Sequence, residues 1–446
     1  MIIMTKLSPG LDKIIRNVSW LAAEKVLTMM LTFFVGIYLV RYLGADNFGK
    51  LSYSVSFAGL FTAIAKLGLD GIVVRNVVQE EKSTQEILGT AFVLKLISTL
   101  VTLVLIGSAI WSVNDDSLIQ WMTLIIAFSL VFDCFDVVDF WFQSQVMSKP
   151  IAIVRSLQLV ISSTAKLLLI TLGLPVIVFA WLMLVSSILK ASGMIWAYFY
   201  HRQSVFRWKI GGKRGREMLR DSWPLILSGV MIAIYMKIDQ VMLGNMAGNQ
   251  EVGNYAAAVR FSSIWYFVPT AICSSVFPAI IRAKQRSSQE YYAKLQQLYD
   301  LMAWISLVII IPVTLASDTL ITTLLGEEYS QAAAILTLHI WAGPFVFLGV
   351  ARSKWLVAEN LAQFNFATTS LGAITNVLLN IFLIPSLGGQ GAAIATVVSY
   401  AVATHIACLF YPPIFKTGWM LTKALLIPFR IRQNLVYFNS IKKAFL

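Results

Sequence analysis

Charge is scarce in this 446-residue chain. Asp, Glu, Lys and Arg make up 13% of it, against about a quarter in a soluble domain. Hydrophobic residues make up 58%, and mean hydropathy is +0.75. A chain of this size cannot wrap so much apolar surface in water, so its solvent is lipid. Cysteine is scarce too. Cys134, Cys273 and Cys408 all lie inside apolar runs. No CxxC pair occurs, which excludes a disulfide framework and a zinc ribbon. His201, His339 and His405 are the only histidines. They stand apart, with no nucleophile or metal spacing around them, so no catalytic constellation is present. The phosphate-binding pattern GxxxxGK[ST] is missing, and no segment outside the apolar runs is long enough for a nucleotide-binding domain. A pump with its own ATPase domain is thereby excluded. The N-terminus lacks a cleavable signal pattern. Its first long apolar run, after Arg16, exceeds a signal-peptide core and reads as a span.

What is present is a series of long apolar runs. A bilayer-crossing helix needs about 20 apolar residues. Twelve stretches qualify, at roughly 17–41, 48–68, 87–111, 118–140, 150–171, 175–200, 222–243, 253–280, 298–317, 331–356, 364–384 and 389–411. They predict an all-α integral membrane protein. Residues 1–200 form an N-terminal six-helix lobe and 222–412 a C-terminal one. Between them, 201–221 reads HRQSVFRWKIGGKRGREMLRD. This stretch carries Arg202, Arg207, Lys209, Lys213, Arg214, Arg216 and Arg220 against Glu217 and Asp221. Its Gly211-Gly212 pair and its charge predict a flexible, self-repelling linker. It has no folded domain around it, so a nucleic-acid patch is not the reading. Odd-numbered helix exits carry only Arg41 and Lys50, whereas the other exits and both tails are rich in Lys and Arg. Short basic loops stay cytoplasmic, which predicts a cytoplasmic linker and two cytoplasmic termini. The tail, 413–446, contains an apolar stretch from Gly418 to Phe429 that is too short to span and is interrupted by Pro428. Lys423, Arg430, Arg432, Lys442 and Lys443 accompany it. It reads as a segment lying on anionic lipid, or as a solvated tail.

The halves echo each other. Leu43-Gly44, then Gly49 and Tyr53, follow helix 1; Leu243-Gly244, then Gly253 and Tyr255, follow helix 7. Both halves start in the cytoplasm, so the repeats would be parallel, with a cleft between them. Five stretches carry a resemblance: RYLGADNFGKLSY, DFWFQSQ, IDQVMLGNMAGNQEVGNYAAA, LLGEEYSQAA and LIPSLGGQGAAIAT. In these, and in their order, the chain resembles the Wzx-type flippases of polysaccharide biosynthesis, in the polysaccharide-transporter branch of the MOP exporters. The resemblance implies two six-helix lobes around a central cavity. It implies a transporter, not an enzyme, that exports a lipid-linked oligosaccharide by alternating access across a bacterial inner membrane. The polysaccharide polymerase and glycosyltransferases would be its protein partners. Many family members have further helices after the twelfth, for which this tail is too short.

Charges inside spans cost a few kcal/mol each at a helix centre and usually face protein or water. Helix 1 carries a polar stripe, Glu24, Thr28, Thr32 and Gly36, at i, i+4 spacing. It would line a cavity or a helix seam. Helix 4 carries Asp133, Asp136 and Asp139 on one side. They form either a proton or sodium coupling site or a set paired with Lys95, Lys190 and cytoplasmic bases. A polyprenyl pyrophosphate needs fixed cations, which predicts Lys25, Lys237 and Arg260 as its anchor. The competing role for Arg260 is an ion pair with Asp239. No cofactor or metal site is expected. The alternatives are a multidrug or small-solute antiporter of the same superfamily, or a membrane-embedded glycan polymerase or ligase.

Overall fold

Backbone in lipid must satisfy its own hydrogen bonds, and a helix does so within itself. The computed structural model describes residues 9–435 and 437, and all regular structure there is helical. Lys6, Lys442 and Lys443 lie outside the described residues. The elements are α1 (Pro9–Lys66), α2 (Asp70–Gln79), α3 (Thr84–Val113), α4 (Ser117–Phe128), α5 (Asp136–Ser144), α6 (Ser148–Thr171), α7 (Val176–Tyr200) and α8 (Gly212–Met246). They continue as α9 (Asn249–Ser263), α10 (Phe267–Arg286), α11 (Ser288–Leu325), α12 (Ser330–His339), α13 (Gly343–Ala358), α14 (Ala362–Thr404) and α15 (Phe415–Leu425).

Ten helical runs among the described residues are long and apolar enough to cross a membrane. Two of them hold two crossings each. The 58 residues of α1 would span about 87 Å at 1.5 Å per residue, against a bilayer core of about 30 Å. The backbone turns at Gly44 (φ 70°, ψ 170°). The 43 residues of α14 turn likewise at Gly388 (φ 52°, ψ −131°). Only glycine takes such angles without a Cβ clash. Divided there, the runs are the twelve crossings read from the sequence. The echo between the halves falls on different residues from those predicted. α8 continues through Gly244 to Met246, and the turn is made by Gly248 (φ 92°, ψ 171°). Gly248 and Gly253 therefore correspond to Gly44 and Gly49.

The chain divides into two compact units, Met1–Ala233 and Ile234–Leu446, with the boundary inside α8. The first unit has a core of Leu69, Val73, Leu88, Val137, Phe142 and Tyr198, joined by Met218 of α8. The predicted linker belongs to this unit and is ordered. Its second half is helix from Gly212 onward. Its first half is docked on α3. Lys209 N–H donates to the Gln85 carbonyl at 3.1 Å, and Gly211 N–H to Thr90 Oγ1 at 3.0 Å. A Cβ on Gly89 would strike the Lys209 backbone. One linker cation is answered, since Arg214 grips Glu80 in a two-pronged pair; the linker's Asp221 in turn meets Arg75 of α2 at 2.5 Å. Glu80, at the C-terminal cap of α2, offsets part of the self-repulsion that the linker sequence shows in isolation, and both pairs tie the linker to α2.

The second unit has a core of Tyr291, Leu295, Leu298 and Met302 from α11 with Phe347 and Trp355 from α13. The predicted interfacial tail enters this core. Ile414, Leu421, Ala424 and Ile427 are fully buried in it. Arg430 reaches the fully buried Asp300 at 3.0 Å, and Tyr437 donates to the same carboxylate at 2.7 Å. The tail thus packs on protein through one face of α15, while Phe415 and Trp419 stay exposed on the other. Sequence periodicity shows that a helix is amphipathic but not which partner covers its apolar face.

Candidate functional site

The helix 4 acids come first, because a break in the helix positions them. Between α4 and α5, Ser129–Phe135 is a 3-10 stretch of seven residues. With three residues per turn, side chains three apart eclipse, so Asp133 and Asp136 stand side by side. Lys190 of α7 lies between them, its Nζ 2.6 Å from Asp133 Oδ1 and 3.2 Å from Asp136 Oδ1. The buried Lys95 donates to the Asp133 carbonyl at 3.2 Å and lies over the Phe140 ring. Asp139 is buried too and pairs with Arg155 at 2.7 Å, with Gln143 donating at 2.9 Å. Two cations, Lys190 and Arg155, pair with the three carboxylates, while Lys95 bonds only the Asp133 backbone carbonyl. Lys190 and Arg155 are among the partners that the paired reading names.

A different polar site lies in the second unit. Asp239 of α8 is 4% exposed. Its Oδ2 accepts from Tyr255 Oη of α9 at 2.7 Å and lies 2.8 Å from Thr396 Oγ1 of α14. Its Oδ1 accepts from Asn380 Nδ2 at 2.6 Å. None of these partners is charged. Asn380 Nδ2 also reaches Asn376 Oδ1 at 3.2 Å. The site holds more acceptors than protons. The single hydroxyl proton of Thr396 has two claimants, Asp239 Oδ2 and the Ala392 carbonyl at 2.9 Å. Asn380 Oδ1 is buried without a hydrogen-bond partner. An amide oxygen in that state costs about 1–3 kcal/mol. A carboxylate, two amide oxygens and a hydroxyl suit a proton or a hard monovalent cation. Among the described residues no cluster of three or more His, Cys, Asp or Glu side chains forms a metal site.

The predicted substrate cations lie on three helices, α1, α8 and α9. Lys25 is exposed on α1, beside a partly buried Glu24 that accepts from Thr28 at 3.1 Å. Lys237 is half-buried on α8 and makes no hydrogen bond or ion pair among the described residues. Arg260 is half-buried near the end of α9. Sequence reading missed Asn376, Asn380 and Thr396, because neutral side chains carry no signal in a charge count. An Asn pair at i, i+4 within an apolar run was the available clue. Arg352, which by the charge count is one of the basic residues at the even-numbered exits, is 3% exposed.

Comparison with known proteins fits this architecture. The profile of a family described as polysaccharide biosynthesis protein matches residues 14–284, well over half of the chain. The chain belongs to that family. A second profile, MatE, matches residues 224–382 of this family member. It is similar to the probable low-salt glycan biosynthesis flippase Agl15 of Haloferax volcanii, at 23% identity, covering 88% of this chain and 84% of the relative. Among solved structures, the lipid II flippase MurJ in an inward closed conformation superposes with TM-score 0.71 at 14% identity, covering 93% of this chain and 92% of that one. An inward-facing multidrug resistance MATE family transporter of the MOP superfamily superposes with TM-score 0.68 at 16% identity, covering 92% and 98%. At such identities the structures establish a shared fold. The chain is therefore a multi-pass membrane protein of this fold.

Proposed function

We propose that this protein is a flippase, not an enzyme. It moves a polyprenyl-pyrophosphate-linked oligosaccharide from the inner to the outer leaflet of the cytoplasmic membrane by alternating access. Both termini lie in the cytoplasm. Family membership and the glycan-flippase relative support the reading. The observation that carries it is Lys237, a cation in a membrane span with no partner among the described residues. Holding such a charge costs a few kcal/mol, which a pyrophosphate would offset. A cationic drug would call for an unpaired carboxylate there instead, so the antiporter reading is not favoured. Arg260 joins this anchor because its planar fork bonds two oxygens at once; Lys25, in the first unit, is a further proposed contact for the pyrophosphate. The test is flipping of a fluorescent lipid-linked oligosaccharide in vesicles. Lys237→Ala and Arg260→Ala should each abolish flipping in protein that still inserts, and Arg260→Lys should only weaken it. Normal flipping by a Lys25→Ala, Arg260→Ala double variant would overturn the anchor.

The coupling ion, a proton or sodium, is assigned to Asp239 rather than to the helix 4 acids, because Asp239 is a buried carboxylate held by neutral donors. Asp239→Asn should leave flipping indifferent to imposed gradients. Wild-type flipping that is unchanged when proton and sodium gradients are both collapsed would remove the coupling role.

A further inference from the structure

A groove between α6 and α7 in the first unit is not used by any role above. It encloses a cavity of about 570 Å³, within the range of about 300–1,000 Å³ for ligand pockets. Ile153, Leu157 and Ile161 form one wall, and Leu189 and Trp196 the other. Each set follows the i, i+3/i+4 spacing of one helix face. Gly193 makes the floor. A Cβ there would lie 2.8 Å from Val154 Cγ1, so the helices touch beneath and a ligand must lie along them rather than between them.

The titratable side chains are at one end; Gln158 lies midway and donates to Ser162 at 3.1 Å. Lys149, Tyr200 and His201 line that end, and no Asp or Glu does. Lys149 makes no hydrogen bond or ion pair among the described residues; its Nζ lies 5.4 Å from the centre of the Trp20 ring. His201 Nδ1 is 2.8 Å from the Ala197 carbonyl, so that end of the ring is engaged. From Lys149 to Ile161 the groove runs about 18 Å at 1.5 Å per residue. Half of a hydrocarbon core is about 15 Å. A polyprenyl chain is much longer than one leaflet, whereas a single acyl chain fits it.

We propose that this groove binds one anionic phospholipid of the cytoplasmic leaflet, with its headgroup phosphate on Lys149 and an acyl chain along Leu157 and Trp196. Leu157 and Trp196 are more than half exposed, so a chain laid there covers apolar surface without unpacking the unit. Assignment to the cytoplasmic leaflet rests on the orientation proposed above. Binding itself does not depend on that orientation or on flipping.

Native mass spectrometry of the full chain, purified and titrated with phosphatidylglycerol or phosphatidylcholine, tests this. Wild type should retain one phosphatidylglycerol at least five-fold more strongly than phosphatidylcholine. Lys149→Gln should bring the two to parity, and Lys149→Arg should keep the preference. Leu157→Trp, which fills the exposed groove without touching the charge, should weaken both lipids. A melting temperature unchanged in phosphatidylcholine nanodiscs confirms that the variants fold. Equal retention of the two lipids by wild type would overturn the proposal. So would a preference that survives both Lys149→Gln and Leu157→Trp, displacement of phosphatidylglycerol by equimolar polyprenyl phosphate, or a lipid-free dimer that Leu157→Trp dissociates.

Discussion

Arg352 sits where a basic residue is least expected. Its guanidinium donates to the carbonyls of Ala403 and Thr404 at 2.7 and 3.2 Å, to Asn365 Oδ1 at 3.2 Å and to Thr368 Oγ1 at 3.1 Å. The two carbonyls belong to the last turn of α14, where helical partners run out. Arg352 therefore closes that helix end, and among the described residues no carboxylate pairs with it. Hydrogen bonds from a charged donor contribute about 1.5–3 kcal/mol. Arg352→Met should lower the melting temperature of the detergent-purified protein by several degrees, and Arg352→Lys by less, since an ammonium cannot span the same fork. An Arg352→Met variant as stable as wild type would show the cluster to be incidental. In the sequence Arg352 lies two residues from Lys354 and reads as part of a basic exit. Its acceptors lie more than 50 positions away in the cases of Ala403 and Thr404, and only packing brings them to it. Asp239 was legible as a charge in a span. Its neutral partners were not, because they come from three separate crossings.

At the scale of elements, the contact between α2 and the start of α8 has a predictable pH dependence. The Arg214 guanidinium, hydrogen-bonded to Glu80, holds the Glu80 carboxyl below its ordinary value of 4.5. A carboxylate whose folded pKa is lowered stabilises the fold above its unfolded pKa, and that contribution is lost as pH falls through the lowered value. The docked linker should therefore resist trypsin at Arg214 from neutral pH down to about pH 5. An acid-stable protease should then find the linker progressively more open at lower pH. Glu80→Gln should flatten that profile. An equal acid response in wild type and Glu80→Gln would assign the opening to another group. Arg214 and Glu80 are both plain in the sequence. Their pairing was not, since 134 residues separate them.

For the whole molecule, the tail is the part whose role changes most. Ile427 and Leu421 complete a core begun by α11 and α13, and the Arg430–Asp300 pair lies over it. Burying an aliphatic side chain of this size contributes about 1.5–3 kcal/mol. Removing Arg430 would leave the Asp300 charge buried with only neutral donors, at a cost of several kcal/mol. Deletion after Thr417 should thus lower the yield of folded protein sharply. Arg430→Met alone should destabilise, and Arg430→Met with Asp300→Leu should recover part of the loss. A truncate with wild-type melting temperature would return the tail to an accessory role. Orientation is tested by reporters: one fused near Gly211 should be cytoplasmic and one near Ala247 external.

Composition and period by themselves determined the solvent, the helical class and the number of crossings. The physical reason is that lipid leaves the backbone almost no choice, so about 20 apolar residues suffice to specify a helix. The excess of Lys and Arg at alternate exits is the equally local basis of the proposed orientation. Which charges are paired was decided by tertiary structure alone. Asp133 and Asp139 look as free in the sequence as Asp239 does, yet Lys190 and Arg155 answer the first two while neutral donors surround the third. Ion pairing depends on a few ångströms between helices far apart in the chain, and nothing in a linear pattern encodes that distance.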